Sequence, residues 1–431
     1  MPPTLLGQNT CLLRHYFSST YPYLSPILEP SPTMQIILRR LLLACCASIV
    51  SAIITTRSHT NFPSFPSPRS RHVTNRQASD PLESKSSSTT NAEYLSYAQT
   101  VFEVLQNTWY NQSTGLWGNQ WWNSANALVV LAELSNMDSL IKSTAEAVYT
   151  NVFANAPIWN LHNFGGVDSF INPYYDDEGW WALAWIKVYD QTQNQTYLKA
   201  AIDIFNDMTT GWGAYSCGGM LWEKGKKNDS AISNELFLSL AASLANRLDG
   251  TNKQIALDWA LLEWDWLTRS GLLNPGSLVM DSLDYNDSCK PDTLALTYNQ
   301  GVILGGLVAL NEAAPSGAYL TTAKAIANAT MNILVDSNGV LKEFCDPSCD
   351  KDPDWVQFKG IYIRNLLYLH SASPEDAYVT FIEKNADSIW QKARNGNNEI
   401  GSAWNVAFNS ASVQAQISAL DCLVAAVVVS M

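Results

Sequence analysis

From Asn91 onward, apolar residues recur at helical spacing, and two kinds of segment alternate. SANALVVLAEL, GWWALAW, LFLSLAASLA and QGVILGGLVAL are small and apolar around most of their circumference. YLKAAIDIFNDM and AYLTTAKAIANATMNIL are apolar on one face only. A helix without a polar face must be buried on several sides, whereas an amphipathic one can cover it from outside. The pattern predicts helices over 92–109, 121–135, 138–154, 177–192, 196–209, 230–248, 252–270, 297–313, 316–335, 357–371, 374–394 and 408–429. Six inner and six outer helices in alternation predict an all-α fold, an (α/α)6 toroid of six helical hairpins. The repeats are too dissimilar for a stacked solenoid. In a ring of this kind the loops before the inner helices gather at one end, where a groove can hold a polymer. No series of strands at regular spacing is evident.

The residues before this domain read differently. From Met34 the chain runs MQIILRRLLLACCASIVSAIITT: a basic Arg39-Arg40, an apolar Leu41–Val50, and a small-residue site at Val50-Ser51-Ala52. Residues 1–54 are therefore expected to be an N-terminal extension and secretory signal, with the signal at about 34–52. Met34 is a candidate true start, and the apolar run is too short for a stable membrane span. Residues 55–90 are rich in Ser, Pro and Arg and read as a flexible leader, which leaves 91–431 as the catalytic domain. Five N-x-[ST] sequons, at Asn111, Asn194, Asn228, Asn286 and Asn328, fit a eukaryotic secretory route. The product is expected in the medium or the cell wall, as a monomer. The apolar 420–429 fits a last inner helix, and no polar spacer or small-residue site precedes it, so a GPI anchor is not expected.

The signal would carry away Cys45 and Cys46, and Cys11 lies before it. Five cysteines remain. The C-D-P-S-C turn points to a Cys345–Cys349 pair, which leaves Cys217–Cys289 and a buried thiol at Cys422. Histidine is scarce and no ligand spacing fits zinc, so neither metal nor cofactor is expected. A net charge of -13 argues against nucleic acid and anionic membrane as partners. Sixteen Trp and eighteen Tyr go mostly to the core, yet their faces also suit sugar C–H surfaces.

The most informative segment is Asn172-Pro173-Tyr174-Tyr175-Asp176-Asp177-Glu178-Gly179-Trp180-Trp181, three consecutive acids among four aromatics at the head of an inner helix. Capping accounts for one aspartate there. It does not account for the aromatics on both sides. Glycoside hydrolysis needs two carboxyl groups, about 5–5.5 Å apart for retention or about 6.5–9.5 Å for inversion, and neighbouring Asp side chains suit the shorter range. A helix N-terminus lowers one carboxylate's pKa, and the resulting anion raises its neighbour's.

Here the chain resembles glycoside hydrolase family 76, the endo-acting α-1,6-mannanases and their fungal cell-wall relatives. The resemblance spans roughly Asn91 to Val429. It rests on YYDDEGWWALAW (174–185), CGGMLWEKGKKNDSAISNELFLSLAASLA (217–245), LTYNQGVILGGL (296–307) and FKGIYIRNLLYL (358–369), in the family's order. It implies the (α/α)6 toroid and a retaining mechanism, with Asp176 as nucleophile and Asp177 as acid/base. The function implied first is an endo-α-1,6-mannosidase acting on α-mannan. The alternatives are a cell-wall transglycosylase acting on the α-mannose GPI core glycan and a non-catalytic mannan-binding protein, which the presence of both aspartates disfavours. Substrate-binding candidates are Trp117, Trp121, Tyr174, Trp180, Asn234, Tyr298, Asn299, Gln300 and Lys359; at least one of Trp117, Trp121 and Trp122 is expected to line the groove, and either Trp of the 121–122 double can equally be core. Asp168 and Glu343 are read as caps, and His162 and His370 as structural.

Overall fold

The computed structural model describes residues 89–431 apart from 166–168, 216 and 350–352. The extension, the signal, nearly all of the leader, Cys11, Cys45, Cys46 and Asp168 lie outside the described residues.

Twelve α-helices fill the described chain: α1 (Asn91–Trp109), α2 (Trp121–Ser135), α3 (Ser139–Phe164), α4 (Tyr175–Thr192), α5 (Gln195–Gly211), α6 (Ala231–Ala245), α7 (Gly250–Ser270), α8 (Thr297–Ala313), α9 (Gly317–Ile333), α10 (Phe358–Ala372), α11 (Asp376–Ser388) and α12 (Val413–Val429). The even-numbered helices form the inner ring, each packed on the next, and α12 closes onto α2. Helices α3, α5, α7 and α9 each lie against the inner helix that precedes them. Helix α11 lies against α12 and α10, and α1 covers α12. This is the (α/α)6 toroid. Small residues let its inner wall close: a Cβ on Gly301 would stand 2.6 Å from Tyr362 Cα, and one on Gly360 2.5 Å from the Ser418 carbonyl oxygen. Only glycine permits backbone approach that close along α8, α10 and α12.

Several boundaries move from their expected places. Helix α3 continues ten residues past 154, through Pro157. Helix α11 ends at Ser388 and passes into a π-helical turn, Ile389–Ala393. Helix α12 starts at Val413 rather than 408, because the Ser412 side chain caps it by accepting from the Ala415 amide and Ala411 bridges to Gly401 instead. Helix α4 opens at Tyr175, which brings Asp176 and Asp177 inside its first turn.

Connection lengths separate the two ends of the ring. Inner helices pass to outer ones through the short turns 136–138, 193–194, 246–249, 314–316 and 373–375. Outer helices pass to inner ones through 110–120, 165–174, 212–230, 271–296, 334–357 and 389–412. All the long loops therefore meet the N-termini of the inner helices. They carry two small antiparallel sheets: β1 (Tyr110–Asn111) with β2 (Leu116–Trp117), and β3 (Asp229–Ser230), β4 (Ser282–Asp284) and β5 (Lys290–Pro291) in that order. A Cys217–Cys289 disulfide ties loop 212–230 to loop 271–296, and Cys345–Cys349 closes a turn within 334–357. Cys422 is a buried free thiol on α12. Among the described residues no helix is long and apolar enough to cross a membrane.

Candidate active site

Loop contacts set the start of α4. The Asn172 carbonyl oxygen Oδ1 accepts from the Tyr174 amide (2.8 Å), and the Trp222 carbonyl accepts from the Tyr175 amide (2.9 Å). The segment 221–229, folded back by the Leu221–Asp229 bridge, thus supplies a partner that an N-cap side chain would otherwise provide. The three acids of the first turn then separate in role. Glu178 is fully buried, accepts the Asn172 amide (3.0 Å) and pairs with Lys224, whose Nζ also reaches Asp207 Oδ2 at 2.7 Å. It locks the 221–229 segment to the helix.

Among the described residues no such cation pairs with Asp176 or Asp177. Asp176 Oδ2 accepts from the indole N–H of Trp222 (2.9 Å), and Asp177 Oδ2 accepts from the Asn172 amide Nδ2 (2.7 Å). Burial pushes the Asp176 carboxyl up to about 7, against the opposing pull of the Trp222 N–H and the first-turn amides of Asp177 and Asp176. Burial, reinforced by the Asp176 charge, pushes Asp177 well above the ordinary carboxylate range. Asp354 raises both. Burial outweighs the helix terminus, so neither acid falls below its usual range. The helix and the indole make Asp176 the better anion of the two, and Asp177 the better holder of a proton.

Asp176 lines a cleft of about 320 Å³, and Asp177, next to it in the chain, is buried outside the lining. The cleft walls are aromatic (Trp122, Trp180, Trp222, Trp355, Phe358 and Tyr298) and acidic (Asp176, Asp229, Asp281 and Asp354), with no Lys or Arg among the described lining residues. Tyr298 stacks on Phe358 at 3.7 Å between ring centroids, and its hydroxyl donates to Asp281 (3.2 Å), which also accepts from Asn299 (2.9 Å). Burial brings Asp229 up to about 7.

Of the sequence candidates for binding, Trp180 and Tyr298 line this cleft. Tyr174 stands at its edge, tilted against Trp222 at 5.1 Å. Asn299 reaches the cleft only through Asp281. The others serve the frame. Trp117 is fully buried and donates to Gln106 (3.3 Å). Trp121 sits in an aromatic cluster with Trp159, Phe170 and Trp181, and its neighbour Trp122 takes the cleft position. Asn234 is spent on the Met220 amide and carbonyl, Gln300 on those of Val279, and Lys359 on Asp346 and the Ser402 carbonyl. Asn234, Gln300 and Lys359 share one physical reason: long loops bring backbone groups to the inner-helix N-termini, and polar side chains there satisfy them. Glu343 likewise holds the Thr297 amide (3.0 Å). Among the sequons, Asn194, Asn286 and Asn328 are exposed and Asn111 is half-buried. Asn228 lines the cleft and accepts from the Glu223 amide (3.2 Å), so a glycan there would stand in it.

The sequence leaves open which of Trp121 and Trp122 lines the groove, and it does not point to Trp222, Asp229, Asp281, Asp354, Trp355 or Phe358. Trp222, Asp229 and Phe358 fall inside the family-like blocks, the one available signal.

A family model for glycosyl hydrolase family 76 matches residues 110–430. The chain belongs to that family. It is 29% identical over 216 residues to the mannan endo-1,6-alpha-mannosidase DCW1 of Saccharomyces cerevisiae, covering 46% of this chain and 47% of the relative. Against DFG5 of the same yeast, another mannan endo-1,6-alpha-mannosidase, identity is 26% over 220 residues, covering 48% and 44%. In these matches the chain spans about half the length of each relative. The fold is shared with an inactive variant of an α-1,6-mannanase from Salegentibacter sp. HEL1_6, altered at two consecutive aspartates and bound to α-1,6-mannotetrose (TM-score 0.67, 21% identity, 78% of this chain and 99% of that one). Dfg5 from Chaetomium thermophilum, in complex with glucosamine, gives a TM-score of 0.66 at 16% identity, covering 79% and 91%.

Proposed function

We propose that this family 76 chain is a retaining, endo-acting α-1,6-mannosidase that cleaves α-1,6-linked mannan, with Asp176 as nucleophile and Asp177 as acid/base. The observation that carries this reading is the pair itself: two adjacent carboxyls beside an aromatic, acid-lined cleft, with unequal partners. The Trp222 N–H and the first-turn amides favour the Asp176 anion, which attacks the anomeric carbon as the glycosidic C–O bond breaks. Asp177 gives its proton to the departing oxygen, then takes one from the incoming water, which displaces Asp176. Two inversions at one carbon leave the α configuration unchanged. A single proton passes between the pair and the reacting oxygens, which suits two carboxyls that cannot both be charged.

The substrate rests on the relatives. The named yeast proteins are mannan endo-1,6-alpha-mannosidases, and the Salegentibacter mannanase was altered at two consecutive aspartates in its inactive variant. This sequence has adjacent aspartates only at Asp176-Asp177. An internal cut fits a cleft that opens to solvent at Trp222, which is 39% exposed. Two disulfides fit a secreted or cell-wall location.

The test is product analysis on linear α-1,6-mannan, with and without an added mannoside acceptor. The expected result is early appearance of oligosaccharides of mixed length, with α-configured first-formed reducing ends by proton NMR. Products extended by the acceptor would assign the site to transfer. An unchanged mannan length profile, or β-configured first products, would overturn the proposal.

A further inference from the structure

We propose that Phe344 and Trp355 form an outer aromatic subsite that seats one further neutral pyranose of a bound glycan beyond the cleft. The inference rests on the cleft being a glycan site. Trp355 lines the cleft beside Asp354, whose charge acts on both Asp176 and Asp177. Phe344 is not part of the cleft lining. Its ring stands against Trp355 at 4.7 Å between centroids, tilted by 56°, and is 62% exposed, more than any other large aromatic among the described residues.

An exposed phenyl ring gains nothing from the fold and is usually turned inward when the chain allows it. Here the chain on both sides of it is fixed. Glu343 is buried and accepts from the Thr297 amide and hydroxyl, while its own amide donates to Asp346 Oδ2 (3.0 Å). Cys345 is closed onto Cys349. Asp346 accepts from the buried Lys359 Nζ at 2.8 and 3.1 Å, and Lys359 also donates to the Ser402 carbonyl. Asn409 donates to the Pro347 carbonyl (3.0 Å). The loop is thus pinned to α8, α10 and the 389–412 connection, and between its anchors it presents one apolar ring outward. That explains why Lys359 is spent on the frame and not on sugar hydroxyls. Two rings at an angle, one facing the cleft and one facing solvent, offer successive faces to the C–H surfaces of neighbouring pyranoses.

The subsite predicts a step in affinity with chain length. The full chain carrying Asp176→Asn and Asp177→Asn, which can bind without cutting, is titrated calorimetrically with α-1,6-linked manno-oligosaccharides of increasing length. Adding Phe344→Ala should leave short oligosaccharides unaffected and weaken those long enough to reach the ring by about two- to tenfold, the range for one aromatic contact. Phe344→Tyr, which keeps the ring, should retain the step. A length dependence unchanged by Phe344→Ala would overturn the subsite while leaving the cleft's assignment intact. So would a loss equal at every length. Absence of binding at any length, in either background, would overturn the glycan reading of the cleft and the subsite with it.

Discussion

At the end of the toroid where the inner helices finish, Lys187, Arg247 and Arg364 line a second cavity of about 420 Å³, and each holds a carboxylate. Lys187 meets Glu133 (3.0 Å), Arg247 meets Asp190 (2.5 Å), and Arg364 places one nitrogen 2.9 and 3.0 Å from the two oxygens of Asp421. At the other end Asp176, Asp229 and Asp281 line the cleft with no Lys or Arg among its described lining residues, and Asp177 adjoins Asp176. The ends are built from the same six inner helices, so the contrast does not come from the fold. Paired opposite charges satisfy each other and fix geometry. At the cleft, burial first and neighbouring charge second push the Asp176 and Asp177 carboxyls up and cost stability, as in a site kept for chemistry.

Substituting one acid at each end should separate these roles. Asp176→Asn and Asp177→Asn should each lower turnover on α-1,6-mannan on the order of 10³-fold or more. The second should recover partly on mannosides whose leaving group needs no proton. Both carboxyls titrate above their unfolded values, so they contribute stability at low pH that is lost as pH rises toward neutral. At pH 7 the asparagine variants should therefore melt no lower than the parent, and Asp176→Asn keeps an acceptor for the Trp222 N–H. Asp421→Ala should do the reverse. It leaves Arg364 buried and uncompensated at a cost of about 3–5 kcal/mol, read as a lowered melting temperature with the shape of the pH–rate profile unchanged. Matching losses of stability at both ends would break the contrast.

A smaller effect sharpens it. The Trp222 indole N–H favours the Asp176 anion, so Trp222→Phe should raise that pKa and move the acidic limb of the pH–rate profile to higher pH. Turnover at the optimum should fall by about tenfold, as expected for losing a hydrogen bond to a charged group. An acidic limb that stays in place would mean that Trp222 shapes the cleft without tuning the acid.

The helices were legible because burial on several sides forces small and apolar residues at helical spacing, whatever the loops do. The acid pair was legible because its two carboxyls sit on consecutive residues at the head of an inner helix. The cleft walls were less so. Trp121 and Trp122 begin a helix apolar on nearly every face, so the sequence holds no phase to say which ring points to the cleft and which to Trp181. Trp222, Asp281 and Trp355 come from loops without periodicity, and their meeting depends on strands of two or three residues and a disulfide between distant loops. Asn234, Gln300 and Lys359 looked like sugar ligands because they stand at inner-helix starts, the same position from which loop backbone must be satisfied.

The central claim is that the lower-pKa member of the pair, Asp176, bonds to the sugar. Incubating the chain with a slow fluorinated α-mannosyl donor that carries a good leaving group, followed by peptide mass mapping, tests it directly. The account predicts one mannosyl group, esterified to Asp176. A label on Asp177 or on another carboxylate, or turnover of the donor with no covalent adduct at any time, would contradict it.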